Sequence, residues 1–376
     1  VKERVKHTFI KYTSMDCESL NEREIADALI SELEELGFTV EEDDAGAKIG
    51  GNAGNLYAYK KGNKDAQPVL FAAHMDTVKP GIGKSPQLTS EGKFLSSGNT
   101  VLGGDDVCGI TAILEGIRQV IIEQRKHGDI EVVFFVAEEL HCKGSSEFDF
   151  SKIHAKMGYV LDLEGAPGMA AVQAPTSTGF WVTVEGKAAH AGFCPEKGIN
   201  AIAIAAEAIT KITQGRIDPE TTRNIGKIEG GVATNIVSES CTCTGEIRSL
   251  KYEKVQTGLE QVRRIFEQTA TQHNAKIHMK VHENYRGYQL GKEEAVVKRF
   301  QRACYKLHKE AQVVTTFGGS DNNKLMQHGV KGIVLSCGMQ NVHSVKEYAN
   351  LEDVVDTARL VAELVSTQSE YKLRLS

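Results

Sequence analysis

Apolar positions along the chain change rhythm several times, and each change marks an element. Ile25, Leu29, Leu33 and Leu36 recur at helical spacing, so one stripe of a helix faces a core. Asn21 is placed to cap that helix, Glu24 to close a capping box and Gly37 to end it. Asn55–Tyr59 and Val69–Ala73 read as strands, and a helix follows Asp106 to about Lys126. Ile130–Ala137 is apolar almost without a break, as a strand covered on both faces must be. Tyr159–Asp162 reads as a further strand. Strands alternating with helices predict an α/β sheet with helices on both faces.

The rhythm changes near Thr178. Phe180–Glu185 reads as a strand, Ile199–Lys211 as a helix, and Asn224–Glu229 and Cys241–Ile247 as strands. Helix Lys251–Gln272 and strand Lys276–His282 follow, giving a β-α-β-β-α-β order and a compact antiparallel α+β unit. The first pattern then resumes with helix Glu293–His308, strand Gln312–Thr315, helix Asn322–His328, strand Gly332–Leu335 and helix Leu351–Ser366. The expected organisation is a discontinuous larger domain, residues 1–177 and 284–376, interrupted by an α+β unit over residues 178–283.

Composition narrows the function classes. The chain has 376 residues, 41% hydrophobic and 25% charged, enough to bury sizeable cores without staples. A formal net charge of −6 with no long basic run gives no footing for nucleic acid or an anionic membrane. No stretch approaches the roughly 20 apolar residues of a membrane span. Val1–Ser14 is charged and amphipathic rather than signal-like. The eight cysteines are scattered, with only Cys241 and Cys243 close together. They read as buried thiols, and the expected location is a reducing cytoplasm. No G-x-G-x-x-G follows the first strand, which removes a dinucleotide enzyme.

The candidate chemistry lies where strands end. His74-Met75-Asp76 follows one buried strand, Glu138-Glu139 ends the next and Asp162 ends a third. Asp105-Asp106 sits between Gly103-Gly104 and a helix, and His343 lies in a loop after the last strand. Singly, each has a plain reading: a loop histidine, a helix N-cap at Asp106, surface charge at the glutamates. Together they collect at the carboxyl ends of strands, where open α/β sheets bind ligands. Histidine nitrogens and carboxylate oxygens are ligands for zinc, manganese or cobalt. Adjacent acids beside a sheet core are costly unless a cation compensates them.

The strings Ala73-His74-Met75-Asp76-Thr77-Val78, Gly103-Gly104-Asp105-Asp106, Glu138-Glu139, Ala188-Ala189-His190-Ala191-Gly192, Gly318-Gly319-Ser320-Asp321 and His343-Ser344 with Glu347-Tyr348 resemble, in that order, the motifs of M20 metallopeptidases, tripeptidase T branch. Val107 stands where many relatives carry lysine. The resemblance implies a mixed-sheet zinc-peptidase domain, phosphorylase/hydrolase-like, with an inserted α+β, ferredoxin-like lid or dimerisation domain. It implies two Zn2+ ions, with Mn2+ or Co2+ as alternatives. His74 and Asp162 would hold one ion, Glu139 and His343 the other, and Asp105 would bridge them. Asp76 would orient His74, and Glu138 would act as general base. His190, Asn235, Arg248, Gly319 and Ser320 would contact substrate, Arg248 by gripping a peptide's terminal carboxylate. The implied activity is hydrolysis of short peptides, tripeptides first, by a homodimer paired through the inserted domain. An N-acyl-amino-acid deacylase or a dipeptidase on the same site is the alternative.

Overall fold

In the computed structural model, which describes residues 1–96 and 98–366, the chain divides into two compact units. The larger comprises Val1–Gln173, Gln289–Thr316 and Ser320–Ser376, and the smaller Ala174–Tyr288 with Phe317–Gly319.

The larger unit is organised by a nine-stranded mixed sheet. Its centre is parallel: Ile130–Phe135, Val69–His74, Met157–Leu163 and Lys331–Ser336 lie side by side in that order. Leu56–Lys60 pairs antiparallel with Ile130–Phe135 and carries Thr39–Glu42 on its far side. Beyond Lys331–Ser336, Met169–Ala174 runs antiparallel, and Gln312–Thr315 pairs parallel with it.

The unbroken apolar runs are explained by two cores rather than one. Phe71 and Ala73, with Val132 and Phe134, pack into the layer that contains the helices Lys2–Thr13, Gly104–Ile122 and Leu351–Ser366. Their sequence neighbours Leu70, Ala72, Val133 and Phe135 pack on the other face with Phe148, Phe150 and Leu325. Side chains alternate across a strand, so a strand covered twice needs apolar residues at both parities. The helix Gly104–Ile122 is buried along most of its length, which accounts for its lack of a polar stripe. It ends at Ile122 rather than near Lys126. Arg125 N–H closes on Val120 O and Gln124 N–H on Ile121 O, with Gln124 at a φ of 49°. That is a Schellman stop without its usual glycine.

The smaller unit is a five-stranded antiparallel sheet, ordered Gly215–Asp218, Thr221–Gly230, Ser240–Ser249, Thr176–Glu185 and Lys276–Tyr285. Phe180, Val182 and Val184 are buried against the helices Ala201–Thr210 and Tyr252–Gln272. Trp181 and Glu185, at the opposite parity, are exposed. This alternation is the mark of a sheet covered on one face.

Asn55 ties the sheet to the turn that follows Ile130–Phe135. Its Oδ1 accepts from Val136 N–H at 3.0 Å, and its Nδ2 donates to Gly144 O at 2.9 Å and to Asp43 Oδ2 at 2.8 Å. Gly144 has no room for a side chain, since a Cβ there would stand 1.9 Å from Val136 O. Asn55 is fully buried, so removing its amide strands buried polar groups at about 1–3 kcal/mol each. Asn55→Ala should therefore lower the urea midpoint at an unchanged m-value; an unmoved midpoint would mean that the clip contributes nothing.

Candidate metal centre

Each proposed ligand of the larger unit is delivered by the end of an element. His74 is the last residue of strand Val69–His74, and Asp162 is near the end of Met157–Leu163. Glu138 and Glu139 open a single 3-10 turn just past Ile130–Phe135. Asp105 stands at the start of the central helix after Gly103, whose φ of 75° turns the chain inward. His343 lies just past the two-residue strand Met339–Gln340, in a turn in which Asn341 and His343 take positive φ.

These ends converge. His74 Nε2 is 3.0 Å from Asp105 Oδ1 and 3.9 Å from Asp162 Oδ1. His343 Nε2 is 3.2 Å from Asp105 Oδ2 and 3.0 Å from Glu139 Oε1. Asp105 thus offers one oxygen to each imidazole. Ligand atoms of His74, Glu138 and Asp162 lie within 4.8 Å of one another, as do those of His74, Asp105 and Glu139. The five residues expected to bind metal come together, with Glu138 among them.

The electrostatics follow from crowding acids in a dry place. Burial and then Asp162 push the Glu138 carboxyl well above its usual range. Burial and then Asp105 do the same to Asp162. Burial would raise Asp105 as well, but the pairing with His343 and His74 outweighs it and holds the carboxyl low. Burial disfavours the imidazolium of His74, yet Asp105 and Asp76 pull its proton affinity well up. His343, paired with Asp105 and Glu139, is pushed up to about 11. Without cations, the crowded carboxyls of Glu138 and Asp162 hold protons more tightly than usual. Divalent cations would replace those protons with fixed charge.

The donor set fits such ions. Glu139 Oε1 is buried, with His343 Nε2 3.0 Å away as its nearest ionisable neighbour among the described residues. His74 Nδ1 is 2.8 Å from the main-chain oxygen of Asp76. A proton donated there leaves the Nε2 lone pair toward Asp105 and Asp162, the tautomer a metal ligand needs.

A ring of supporting contacts holds these groups. Asp76 Oδ1 accepts from Glu138 N–H at 2.9 Å, and its Oδ2 accepts from Glu139 N–H at 3.2 Å and from Ser19 Oγ at 2.7 Å. Glu347 accepts from Gly103 N–H at 2.8 Å and Asp105 N–H at 2.9 Å. Asp106, the plain N-cap candidate, accepts from Gly109 N–H but also from His74 N–H at 3.2 Å. Glu22 accepts from Ala137 N–H at 3.0 Å, and burial followed by Asp76 raises its carboxyl to about 7. Cys142 Sγ lies 3.4 Å from Glu138 Oε1. Glu22, Ser19 and Cys142 carry no signal in the sequence. Glu347 lay inside a quoted motif without a role.

The substrate candidates differ in setting. In the smaller unit, His190 and Asn235 lie on adjoining segments: His190 bridges Ile236, and Ala191 N–H donates to Asn235 O at 2.9 Å. Arg248 forks onto Glu246 of the same strand, Nε to Oε1 at 2.9 Å and a terminal nitrogen to Oε2 at 3.2 Å. A Cβ at Gly319 would stand 2.1 Å from Tyr285 Cζ, so glycine there admits the tyrosine ring. In the larger unit, Ser320 N–H already donates to Asn323 Oδ1 at 3.2 Å.

The model of the M20 peptidase dimerisation domain matches residues 174–274. That of peptidase family M28 matches residues 55–187, the stretch running from His74 to Asp162 and beyond. A relative in Bacillus subtilis, the uncharacterised protein YqjE, is 36% identical over 364 residues, covering 97% of this chain and 98% of its own. The crystal structure of aminopeptidase PepT from Bacillus cereus is 37% identical with a TM-score of 0.88, covering 97% of this chain and 98% of that one. A tripeptidase from Staphylococcus aureus is 32% identical with a TM-score of 0.92, covering 98% of both chains.

Glu347 gives a test of the centre that needs no substrate. Glu347→Ala frees two main-chain N–H groups that fix Asp105, without touching a proposed ligand. Losing such an outer partner weakens metal affinity about 10- to 100-fold. Competition against a chromophoric chelator with zinc should show that loss, and unchanged affinity would remove Glu347 from the centre.

Proposed function

The chain belongs to the M20 peptidases, in the peptidase T branch, and we propose that it is a two-metal aminopeptidase acting on short peptides, tripeptides first. The observation that carries this reading is the Asp105 carboxylate with one oxygen toward His74 and the other toward His343, next to the half-buried Glu138. In it, His74 and Asp162 would hold one divalent ion, Glu139 and His343 the other, and Asp105 would be shared between them. Zinc suits the mixed nitrogen and oxygen donors, as manganese and cobalt also do.

When bound, such a pair of ions acidifies a water and polarises the scissile carbonyl. The side chains do the rest. Glu138, half-buried among the proposed ligands, takes the water's proton and returns it to the leaving amine. Asp76 fixes the main chain of Glu138 and Glu139, so base and ligand move as one piece. His190 supplies a hydrogen bond to the developing oxyanion, and Asn235 contacts the peptide. Arg248 grips the terminal carboxylate, for which its fork is shaped; Glu246 occupies that fork until a carboxylate competes for it. Gly319 and Ser320 border the peptide. The match of residues 174–274 to a dimerisation domain supports a homodimer paired through the smaller unit. Eight free thiols suit the cytoplasm. No helix among the described residues is long and apolar enough to cross a membrane.

The test is a panel of dipeptides, tripeptides, tripeptide amides and N-acylated amino acids on metal-loaded protein. Tripeptides with free termini should be cleaved fastest. Glu138→Gln should lose about 10²–10⁴-fold in kcat while keeping its metals. Preference for N-acylated amino acids would overturn the aminopeptidase assignment in favour of a deacylase, and near-normal turnover by Glu138→Gln would remove the base.

A further inference from the structure

Lys84 is 5% exposed, and its Nζ donates to Cys17 Sγ at 3.2 Å. Cys17 is 1% exposed. A buried ammonium ordinarily sits against a carboxylate, yet Lys84 makes no ion pair among the described residues. The thiol is the group set before it.

The contact is built from both sides. Thr77 N–H donates to Cys17 O at 2.9 Å, and Ser19 N–H donates to Thr77 O at 3.3 Å. The loop that carries Lys84 is tied to the same segment, through Gly81 N–H to Glu18 Oε1 at 2.8 Å and Gly83 N–H to Asp16 Oδ1 at 2.7 Å. The stem of Lys84 lies on Gly103, where a Cβ would stand 3.2 Å from Lys84 Cε. Nζ is thereby delivered to the sulfur and held there. All of these residues belong to the larger unit.

Burial raises the Cys17 thiol, and Lys84 acts against the rise. A cation beside a thiol favours the thiolate, the form that a peroxide attacks. Burial shuts out bulky disulfides, whereas hydrogen peroxide is little larger than water. Oxidation of the sulfur first gives a sulfenic acid, which a neighbouring group can trap. The 3.2 Å gap suits one bridging oxygen and is far too long for a direct sulfur–nitrogen bond.

We propose that Cys17 and Lys84 form a redox-made covalent staple, Sγ–O–Nζ, with hydrogen peroxide as the oxidant. In the first step the thiol and one peroxide give the sulfenic acid and water. In the second, the sulfenic acid, the ammonium and another peroxide give the bridge, two waters and a proton. An O–N bond then replaces the sulfenic O–H and one N–H, and a second N–H leaves as the proton. Sulfur and nitrogen each lose two electrons, and each peroxide gains two. A dithiol returns the four electrons and restores thiol and amine. The staple closes a separation of 67 positions and pins the segment whose Ser19 Oγ holds Asp76. It does not depend on the peptidase reading.

The experiment treats the full-length, metal-loaded protein with dilute hydrogen peroxide, then digests it without reductant using a protease that does not cut at lysine. Mass spectrometry should find the Cys17 and Lys84 peptides joined, heavier than their sum by one oxygen less two hydrogens. Dithiothreitol should separate them. Cys17→Ser and Lys84→Arg should each give no joined peptide. A crosslink restrains the unfolded chain, so treated wild type should also melt above the reduced protein, and dithiothreitol should cancel the rise. The proposal is overturned by an unlinked Cys17, whether intact or oxidised to sulfinic or sulfonic acid. A Cys17 joined to another cysteine overturns it, as does a joined mass without the added oxygen, or a bridged protein that melts no higher. These readouts stand on wild type alone, so a variant that fails to fold does not shield it.

Discussion

Asp105 can offer one oxygen to His74 and the other to His343 only if three distant stretches of chain reach the same depth. Most of the larger unit serves that requirement. The parallel central strands bring His74 and Asp162 to the same, carboxyl, end of the sheet. Gly103 and the Glu347 carboxylate turn the start of the central helix inward. The loop beyond Lys331–Ser336 carries His343 back to Asp105, and its positive-φ residues mark a path a generic loop would not take. The helix Gly104–Ile122 that follows Asp105 is sunk in the core, and Glu347 accepts from the main-chain N–H of Asp105 itself.

Crowding acids at this depth has a cost that the fold answers by layers. Carboxylates out of water favour their neutral forms, and Glu138, Asp162 and Asp106 are all shifted that way by burial. Main-chain N–H groups meet part of the charge: Asp76, Asp106, Glu22 and Glu347 each accept at least one. These four acids are anchors for the backbone of the site. The remaining oxygens face the two imidazoles, and there cations can take the place of protons. The division explains why so many acids sit together when only some of them would be ligands.

What the sequence made legible follows from what periodicity can carry. Strand ends can be read from apolar runs, so His74, Asp76, Glu138, Glu139 and Asp162 were open to inference, as were Asp105 before a helix and His343 in a loop, and the resemblance to M20 peptidases supplied their separate roles. Of the anchors, Glu22 and the role of Glu347 were not legible, because their signal is tertiary. Asn21 is a good cap by type, yet Glu22 occupies the cap position and turns its side chain to Ala137 N–H instead; Arg23 N–H is met by Asn52. Asn55 looks like any strand-edge asparagine until Val136 and Gly144 are seen on either side of it. The Arg248–Glu246 fork was within reach, since residues two apart on a strand share a face.

The most direct test of the account is to locate the ions. Crystals of the protein grown with zinc should give two anomalous peaks at the zinc edge, one beside His74 and Asp162 and the other beside Glu139 and His343. Each should be met by a different oxygen of Asp105. A single peak reached by one Asp105 oxygen, with no density at His343, would contradict the bridging role on which the account stands.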